Sequence, residues 1–346
     1  MNQPSEKCEI IAEIGLSHEG SLGLAVSMAK AAIENGADLV KFQAHFPEFE
    51  SSTAESFRVS FAIQDSTRWD YWKRTSFTIK EWMVLKRAVE ENGGKFAISV
   101  FSGYATEVFL DLGVDVLKLG SGDLVNQELY EVLESYPGTL ILSTGLATWA
   151  EVTESANWMR SSNCSKDSAI LQCTSMYPTP LDKIGLNVMS RIQKELKVPS
   201  GLSDHSIGLT ASLSALLLGA RYIERHITLS PFLYGPDIKA SISLEELKFM
   251  SEFRNQVKPV FTQVDKDVIA TELAEVKMLF GRSLGLKRDL PTGTVIGSSD
   301  FCLRKPSGGF SWGDRTRFVG KALVKPYMVN ELITEDHFSA SGEESP

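Results

Sequence analysis

The sequence has no apolar run long enough to cross a membrane and no excess of basic residues. None of its uninterrupted apolar segments reaches the ~18 residues that a membrane-spanning helix needs. The N-terminal stretch Met1–Lys7 lacks the basic and apolar regions of a signal peptide. The formal net charge is −9, whereas nucleic-acid-binding proteins normally carry a basic surplus. The sequence therefore predicts a protein that binds neither membrane nor nucleic acid.

Cysteine is also scarce. The four cysteines are far apart and show no Cys-x-x-Cys spacing: Cys8, Cys164, Cys173 and Cys302. This distribution argues against a structural zinc site and against a disulfide framework. We expect reduced, mostly buried thiols in a cytoplasmic protein.

The first ~265 residues alternate between two signals, short runs rich in Val, Ile and Leu and longer amphipathic segments. Eight such runs within ~250 residues predict a (β/α)8 TIM barrel. The alternative, an open doubly wound sheet, lacks support because no Gly-x-Gly-x-x-Gly follows a strand. The predicted strands are Glu9–Ile14, Leu39–Gln43, Phe96–Val100, Val116–Leu119, Leu140–Ser143, Ala169–Cys173, Ser200–Leu202 and Tyr222–His226.

The chain of 346 residues is long enough for about two domains. We predict a catalytic barrel over residues 1–257, a linker over 258–281, a small β-rich domain over 282–338 and a tail over 339–346. Within the barrel, residues 45–77 form an unusually long connection that contains several aromatic residues. Such a segment is either a functional cover or a surface helix packed on the barrel.

The chemistry of a TIM barrel lies at the C-terminal ends of its strands. Lys41 and Lys118 each interrupt an apolar strand there, and an ammonium group is almost never buried without a partner. Either a bound phosphate or carboxylate compensates them, or they form an internal salt bridge with Glu13 or Glu224.

Two histidines, His205 and His226, end consecutive predicted strands. Because these strands are neighbours in a barrel, the two side chains can converge within metal-binding reach. Neutral imidazole is the commonest metal ligand. Asp204 is a possible group to orient them. Two protein ligands leave coordination positions open, which suits a catalytic ion rather than a structural one.

In combination these motifs resemble the sialic acid synthase family, and the segment after Arg282 resembles that family's C-terminal antifreeze-like (SAF) domain. The resemblance covers about residues 8–338. The motifs that carry it are Ile11-Ala-Glu-Ile-Gly, His18-Glu-Gly-Ser, Val40-Lys-Phe-Gln, Lys118-Leu-Gly-Ser-Gly-Asp, Leu142-Ser-Thr-Gly, Gln172-Cys-Thr-Ser-Met-Tyr-Pro-Thr-Pro, Gly201-Leu-Ser-Asp-His-Ser, Glu224-Arg-His and Gly235-Pro-Asp-Ile-Lys-Ala-Ser.

The resemblance implies condensation of phosphoenolpyruvate with an N-acylated aldose, usually N-acetylmannosamine, to a nine-carbon 2-keto acid and phosphate. It further implies a divalent metal, Mn²⁺ or Mg²⁺, on His205 and His226, with Glu13 as the acid/base residue. Phosphoenolpyruvate-binding positions map onto Lys41, Ser99, Lys118, Ser121, Ser143 and Ser203. Sugar-binding positions map onto Gln43, Asp123, Ser175, Tyr177, Asp237 and Arg304.

Members of the family usually have Glu where Asp123 stands and often Asn where Ser175 stands. The identity of the acceptor sugar is therefore left open, and the candidates are N-acetylmannosamine, its 6-phosphate and diacetamido sugars. The resemblance also implies a domain-swapped homodimer, in which an arginine of the C-terminal domain, here Arg304, reaches the partner's site. Two other hypotheses are a Schiff-base pyruvate aldolase or lyase on the same barrel and a non-catalytic sugar-binding relative.

Overall fold

The computed structural model describes residues 8–59 and 61–338. The chain divides into two compact units, Met1–Phe261 and Thr262–Pro346. The tail predicted over residues 339–346 lies outside the described residues. Across the part of the chain that is described, no helix combines the length and the apolar character needed to cross a bilayer.

The first unit is a closed barrel of eight parallel strands in chain order, and β8 pairs with β1 to complete it. This confirms the predicted TIM barrel, and the strand bounds differ from the predicted ones by at most two residues. The strands are β1 (Glu9–Gly15), β2 (Leu39–Gln43), β3 (Lys95–Ser99), β4 (Val116–Leu119), β5 (Thr139–Ser143), β6 (Ala169–Cys173), β7 (Ser200–Asp204) and β8 (Tyr222–His226).

Helices connect the strands and cover the outside of the barrel. Several begin at a Ser or Thr whose side chain accepts a hydrogen bond from the first turn, as Thr78 does from the Glu81 backbone N–H. The helices are α1 (Leu22–Glu34), α2 (Pro47–Glu50), α3 (Arg68–Thr75), α4 (Ile79–Glu91), α5 (Gly103–Asp111), α6 (Gln127–Leu133), α7 (Trp149–Ser161), α8 (Leu186–Arg191), α9 (Thr210–Leu217) and α10 (Leu244–Val257).

Alternation along the strands divides the barrel interior into an apolar and a polar layer. Residues two apart on a strand point to the same face, so Ile11 and Glu13 both face inward. The apolar layer comprises Ile11, Leu39, Ala97, Val116, Ile141, Ala169, Leu171 and Tyr222. The inward positions nearer the C-terminal ends of the strands are instead polar, and these polar residues form the site described below.

Asp204 and Arg225 face the opposite way, towards the helices, and form a fully buried ion pair. Arg225 Nη1 lies 2.6 Å from Asp204 Oδ2, and neither side chain is exposed. The Ser206 backbone N–H and the Ser212 hydroxyl donate to the same carboxylate. Asp204 is therefore not the group that orients the histidines; its sequence-based assignment was wrong, because strand alternation points it out of the barrel.

We expect Asp204→Ala to lower the free energy of unfolding by about 3–5 kcal/mol, since it leaves the Arg225 guanidinium buried without a counter-charge. Urea unfolding of the full chain measures this loss. Lys86→Ala is the control: it breaks the helix-surface pair with Glu90, where about 0.5 kcal/mol or less is expected. Equal losses in the two variants would contradict the assignment.

The second unit has a small core of its own. Two short helices, α11 (Lys266–Glu272) and α12 (Ala274–Phe280), precede the antiparallel strands β9 (Ser283–Leu286) and β10 (Phe301–Arg304). The predicted linker, residues 258–281, is divided between the two units and contains α11 and α12, which have no buried residues. The core consists of Leu284, Leu286, Leu290, Ile296, Phe301, Phe318, Leu323, Tyr327 and Ile333.

Candidate active site

A cavity of about 500 Å³ opens at the C-terminal end of the barrel. Asp237 lines a smaller pocket that shares residues with this cavity. Arg304 belongs to the second unit, where its guanidinium donates to the Leu286 carbonyl. The predicted site residues that line the large cavity are Glu13, Lys41, Gln43, Ser99, Lys118, Ser121, Asp123, Ser143, Ser175, Tyr177, Ser203, His205 and His226.

Two buried lysines share the carboxylate of Glu224 at the floor of the cavity. Lys118 Nζ lies 2.8 Å from Glu224 Oε2, and Lys41 Nζ lies 3.4 Å from the same oxygen. Lys41 also lies 3.2 Å from Glu13 Oε2 and donates to the Ser99 hydroxyl at 3.1 Å. The Ser203 hydroxyl donates to the other oxygen of Glu224. The internal salt bridge, one of the two alternatives for the lysines, is thus present in this structure.

Burial and mutual attraction shift the pKa values of these groups in different directions. Burial raises the pKa of Glu13 to about 7, although Lys41 opposes the shift. Burial also opposes ionisation of Glu224, but Lys118 and Lys41 outweigh it and hold its pKa well below the ordinary range. Glu13 is therefore the carboxyl that can gain or lose a proton near neutral pH, which is the property a general acid or base needs.

A hydrogen-bonded chain of side chains fixes Glu13 from the side of β2. Gln43 Nε2 donates to Glu13 Oε1 at 2.7 Å, and Gln43 Oε1 faces His45 Nε2 at 3.5 Å. The Nδ1 atom of His45 lies 2.5 Å from Glu50 Oε1. The His45 ring lies between Trp72 and Phe101, with ring centroids 3.7 and 4.4 Å away. Stacking and hydrogen bonds together set the orientation of the Gln43 amide that contacts Glu13.

The two predicted metal-ligating histidines lie side by side, with ring centroids 5.4 Å apart. Burial lowers the pKa of each to about 3, so both imidazoles are neutral at pH 7. The Thr174 carbonyl lies 3.3 Å from His205 Nδ1, which assigns the proton to that nitrogen and leaves a lone pair on Nε2. Asp237 Oδ2 lies 3.9 Å from His226 Nδ1. Across residues 8–59 and 61–338, no cluster of three His, Cys, Asp or Glu side chains suited to a metal ion occurs.

Hydroxyl groups line the wall of the cavity formed by β4 and β5. The Ser121 hydroxyl accepts from the Gly145 N–H at 2.9 Å. The Ser143 hydroxyl is buried and has no hydrogen-bond partner among the described residues. Asn126 donates to Asp123, whose pKa is raised by burial. A buried, unpaired hydroxyl facing a cavity is available to a bound ligand.

The long connection between β2 and β3 contributes residues to the cavity that the sequence did not identify as site residues, among them Arg58, Arg68 and Trp72. Arg58 lies over the Tyr177 ring, 4.0 Å from its centroid, and pairs with Asp237 at 2.5 Å. The segment contains the packed helix α3, as one interpretation has it, and it also lines the cavity, as a cover would. Its concentration of aromatic residues was the available signal.

The fold and the site define a TIM-barrel enzyme with buried lysines, an uncharged histidine pair and a titratable glutamate at one end. The sequence model of the NeuB family matches residues 28–266. Because this match covers more than half of the sequence, the chain belongs to the NeuB family.

Its relatives include several proteins that are named as synthases. The N,N'-diacetyllegionaminic acid synthase of Legionella pneumophila is 30% identical, with 97% of this chain and 96% of that protein covered. The N-acetylneuraminate-9-phosphate synthase of Homo sapiens is also 30% identical, with 95% and 92% covered. The crystal structure of the N-acetylneuraminic acid synthetase of Leptospira borgpetersenii in complex with citrate matches with a TM-score of 0.67 and 26% identity, covering 79% of this chain and 92% of that one.

Proposed function

We propose that this enzyme is a nonulosonic acid synthase that condenses phosphoenolpyruvate with an N-acylated aldose, giving a nine-carbon 2-keto acid and phosphate. One observation supports this most strongly. The buried Lys41 lies beside Glu13, a glutamate that can exchange a proton near pH 7, and it shares Glu224 with a second buried lysine, Lys118. Such a floor suits a small substrate that carries both a carboxylate and a phosphate.

Lys41 and Lys118 hold the two anionic ends of phosphoenolpyruvate, with the Ser143 hydroxyl as a further donor. Ser99, Ser121 and Ser203 lie around the same floor. The two lysines carry two positive charges and Glu224 one negative charge. With Glu13 ionised, as it must be to accept a proton, these four charges cancel, and protonation of Glu13 would leave a net charge of about +1.

The residues present fit a divalent cation, Mn²⁺ or Mg²⁺. Two adjacent neutral imidazoles are an acceptable donor set, and an oxygen of Asp237, whose other oxygen pairs with Arg58, lies 3.9 Å from His226. A divalent charge would also offset most of the negative charge of a triply anionic donor. His205 and His226 would hold the ion, which when bound would supply polarisation of the aldehyde oxygen of the open-chain aldose.

Lys41 and Lys118 position phosphoenolpyruvate so that its enol carbon faces the aldehyde carbon of the acceptor. A carbon–carbon bond forms there while the π bond of the aldehyde breaks, which leaves an alkoxide on the acceptor and positive charge at C2 of the donor. Water adds at C2 and Glu13 accepts its proton, a role worth typically ~10²–10⁴ in rate. The hemiketal phosphate then collapses: the bond from C2 to the bridging oxygen breaks, phosphate leaves and the 2-keto group forms. The water supplies both protons, since Glu13 passes one to the acceptor alkoxide and the hemiketal hydroxyl gives the other to the departing phosphate. Gln43, Asp123, Ser175, Tyr177 and Asp237 contact the acceptor hydroxyl and amide groups.

The second unit is proposed to be an SAF domain, with Arg304 reaching the partner's site in a domain-swapped homodimer. The free thiols of all four cysteines agree with the proposed cytoplasmic location. Gel filtration coupled to activity tests the dimer. An active monomer would contradict it.

Release of inorganic phosphate from phosphoenolpyruvate tests the proposed reaction. We expect release only when an N-acylated aldose and Mn²⁺ or Mg²⁺ are both present, with one 2-keto acid formed per phosphate. Phosphate release without an aldose, or no release with any aldose, would contradict the proposal.

One observation favours a second candidate, a Schiff-base aldolase. Burial lowers the pKa of Lys118, and a depressed pKa is a property of imine-forming lysines. Its contact with Glu224 opposes the shift. Borohydride treatment with pyruvate would label Lys118 in an aldolase and would leave it unmodified in the synthase.

A further inference from the structure

Arg58, on the long connection between β2 and β3, lies between two groups that are proposed to contact the aldose. Its Nη2 donates to Asp237 Oδ1 at 2.5 Å, and its guanidinium carbon lies 4.0 Å from the centre of the Tyr177 ring. A charge-assisted hydrogen bond and a cation–π contact both restrict a guanidinium to one orientation. Arg58 is therefore held in place before any ligand binds.

The Tyr177 ring also connects Arg58 to the histidine pair. The His205 ring is stacked on it, with centroids 4.0 Å apart, and the His226 ring packs at 5.9 Å. Two groups that each lie 4.0 Å from one ring centre cannot share a face of that ring, so Arg58 and His205 lie on opposite faces. All four residues line the large cavity. An aldose whose aldehyde oxygen lies at the histidines can therefore extend around Tyr177 to Arg58.

Most of the hydrogen-bonding capacity of Arg58 is unused. A guanidinium presents a fork of N–H donors, and within residues 8–59 and 61–338 the only acceptor that Arg58 reaches is Asp237. The side chain is 38% exposed and faces the cavity. Because the Asp237 carboxylate offsets its charge, the remaining donors suit an uncharged oxygen better than they suit a phosphate.

We infer that Arg58 is a further acceptor-binding residue, which donates hydrogen bonds to a hydroxyl or carbonyl oxygen of the aldose. Phosphoenolpyruvate is the alternative ligand. The lysines proposed to hold it, Lys41 and Lys118, do not line the smaller pocket that Arg58 shares with Asp237. The inference rests on the proposed synthase function and adds a residue that lies on none of the barrel strands.

Arg58→Gln tests this contact with the N-acylated aldose that gives the fastest phosphate release. At saturating phosphoenolpyruvate, kcat/KM for the aldose should fall about 10- to 150-fold, the range for a lost hydrogen bond to a charged group. The KM for phosphoenolpyruvate should not change. A loss confined to the KM for phosphoenolpyruvate would place Arg58 at the donor and overturn the inference.

Arg191→Gln is the matched control. Arg191 also lies over an aromatic ring, 3.7 Å from the centroid of Trp149, and pairs with a carboxylate, Glu195, but it does not line the cavity. Its replacement should leave kcat/KM for the aldose unchanged. An equal loss in Arg191→Gln and Arg58→Gln would overturn the inference.

Arg58→Lys separates a direct contact from an effect that acts through Asp237. Lysine keeps a positive charge beside Asp237 but has no planar fork to lie over Tyr177. We expect kcat/KM for the aldose to stay close to that of Arg58→Gln. Full recovery in Arg58→Lys would show that Arg58 only compensates Asp237, and would overturn the inference.

Mn²⁺ affinity, measured by titration calorimetry in the absence of substrates, should not fall in either Arg58 variant, because the loss of a neighbouring positive charge does not repel a cation. A fall would assign the effect to the histidine pair and overturn the inference. Unchanged kcat/KM in Arg58→Gln overturns it as well and leaves the synthase intact. No phosphate release by the unmodified chain with any N-acylated aldose would end both.

Discussion

Replacing Glu13 by Gln is expected to lower kcat by about 10²–10⁴-fold with little change in the KM for phosphoenolpyruvate. Glutamine keeps the shape and the contact with Gln43 but cannot accept a proton from the water that adds at C2. Lys41 retains Glu224 as a neighbouring counter-ion, so the floor carries the same charge as it does when Glu13 is protonated. Steady-state phosphate release measures both constants.

Glu9→Gln is the matched control for this change. Glu9 is a buried glutamate on the same strand, at the opposite end, where it pairs with Lys95 and Arg221. This variant should lose stability and keep its kcat. An equally large loss of kcat in Glu9→Gln, or none in Glu13→Gln, would contradict a specific role of Glu13 in the proton transfer.

Replacing both His205 and His226 by Ala is expected to weaken Mn²⁺ binding by more than about 100-fold. Replacing a residue that only hydrogen-bonds to a metal ligand already lowers metal affinity by about 10- to 100-fold. The loss of both direct ligands should therefore lower the affinity further. Titration calorimetry with Mn²⁺ alone reports this without reference to turnover. Phosphate release should fall with it and should not recover at higher Mn²⁺ concentration.

His18→Asn controls for the loss of a buried imidazole. His18 is stacked on Phe77 at 4.5 Å and does not line the cavity. Its replacement should leave Mn²⁺ affinity unchanged. Tight Mn²⁺ binding in the double variant would place the ion elsewhere.

Much of the site followed from strand positions. Once β1, β4 and β8 were located, alternation placed Glu13, Lys118 and His226 on the inner face, because each is an even number of residues from an apolar residue that fills the barrel. The same rule places the Asp204 carboxylate on the outer face of the barrel, together with Arg225.

The partners of the polar groups could not be predicted in the same way. Whether Lys41 and Lys118 face a ligand or Glu224 depends on distances across the barrel. The position of Arg58 depends on its pairing with Asp237, a residue 179 positions further along the chain. No local pattern encodes such a contact, and the conformation of a long connection is set by tertiary packing rather than by propensity.

The fate of the bridging oxygen of phosphoenolpyruvate tests the central claim most directly, namely that Glu13 and the two lysines direct water to C2 of a phosphate-bearing intermediate. With ¹⁸O at the oxygen that joins C2 to phosphorus, mass spectrometry of the released phosphate should find the label there, because the bond from C2 breaks. Released phosphate without ¹⁸O would mean that the bond to phosphorus breaks instead, and would contradict the proposed reaction.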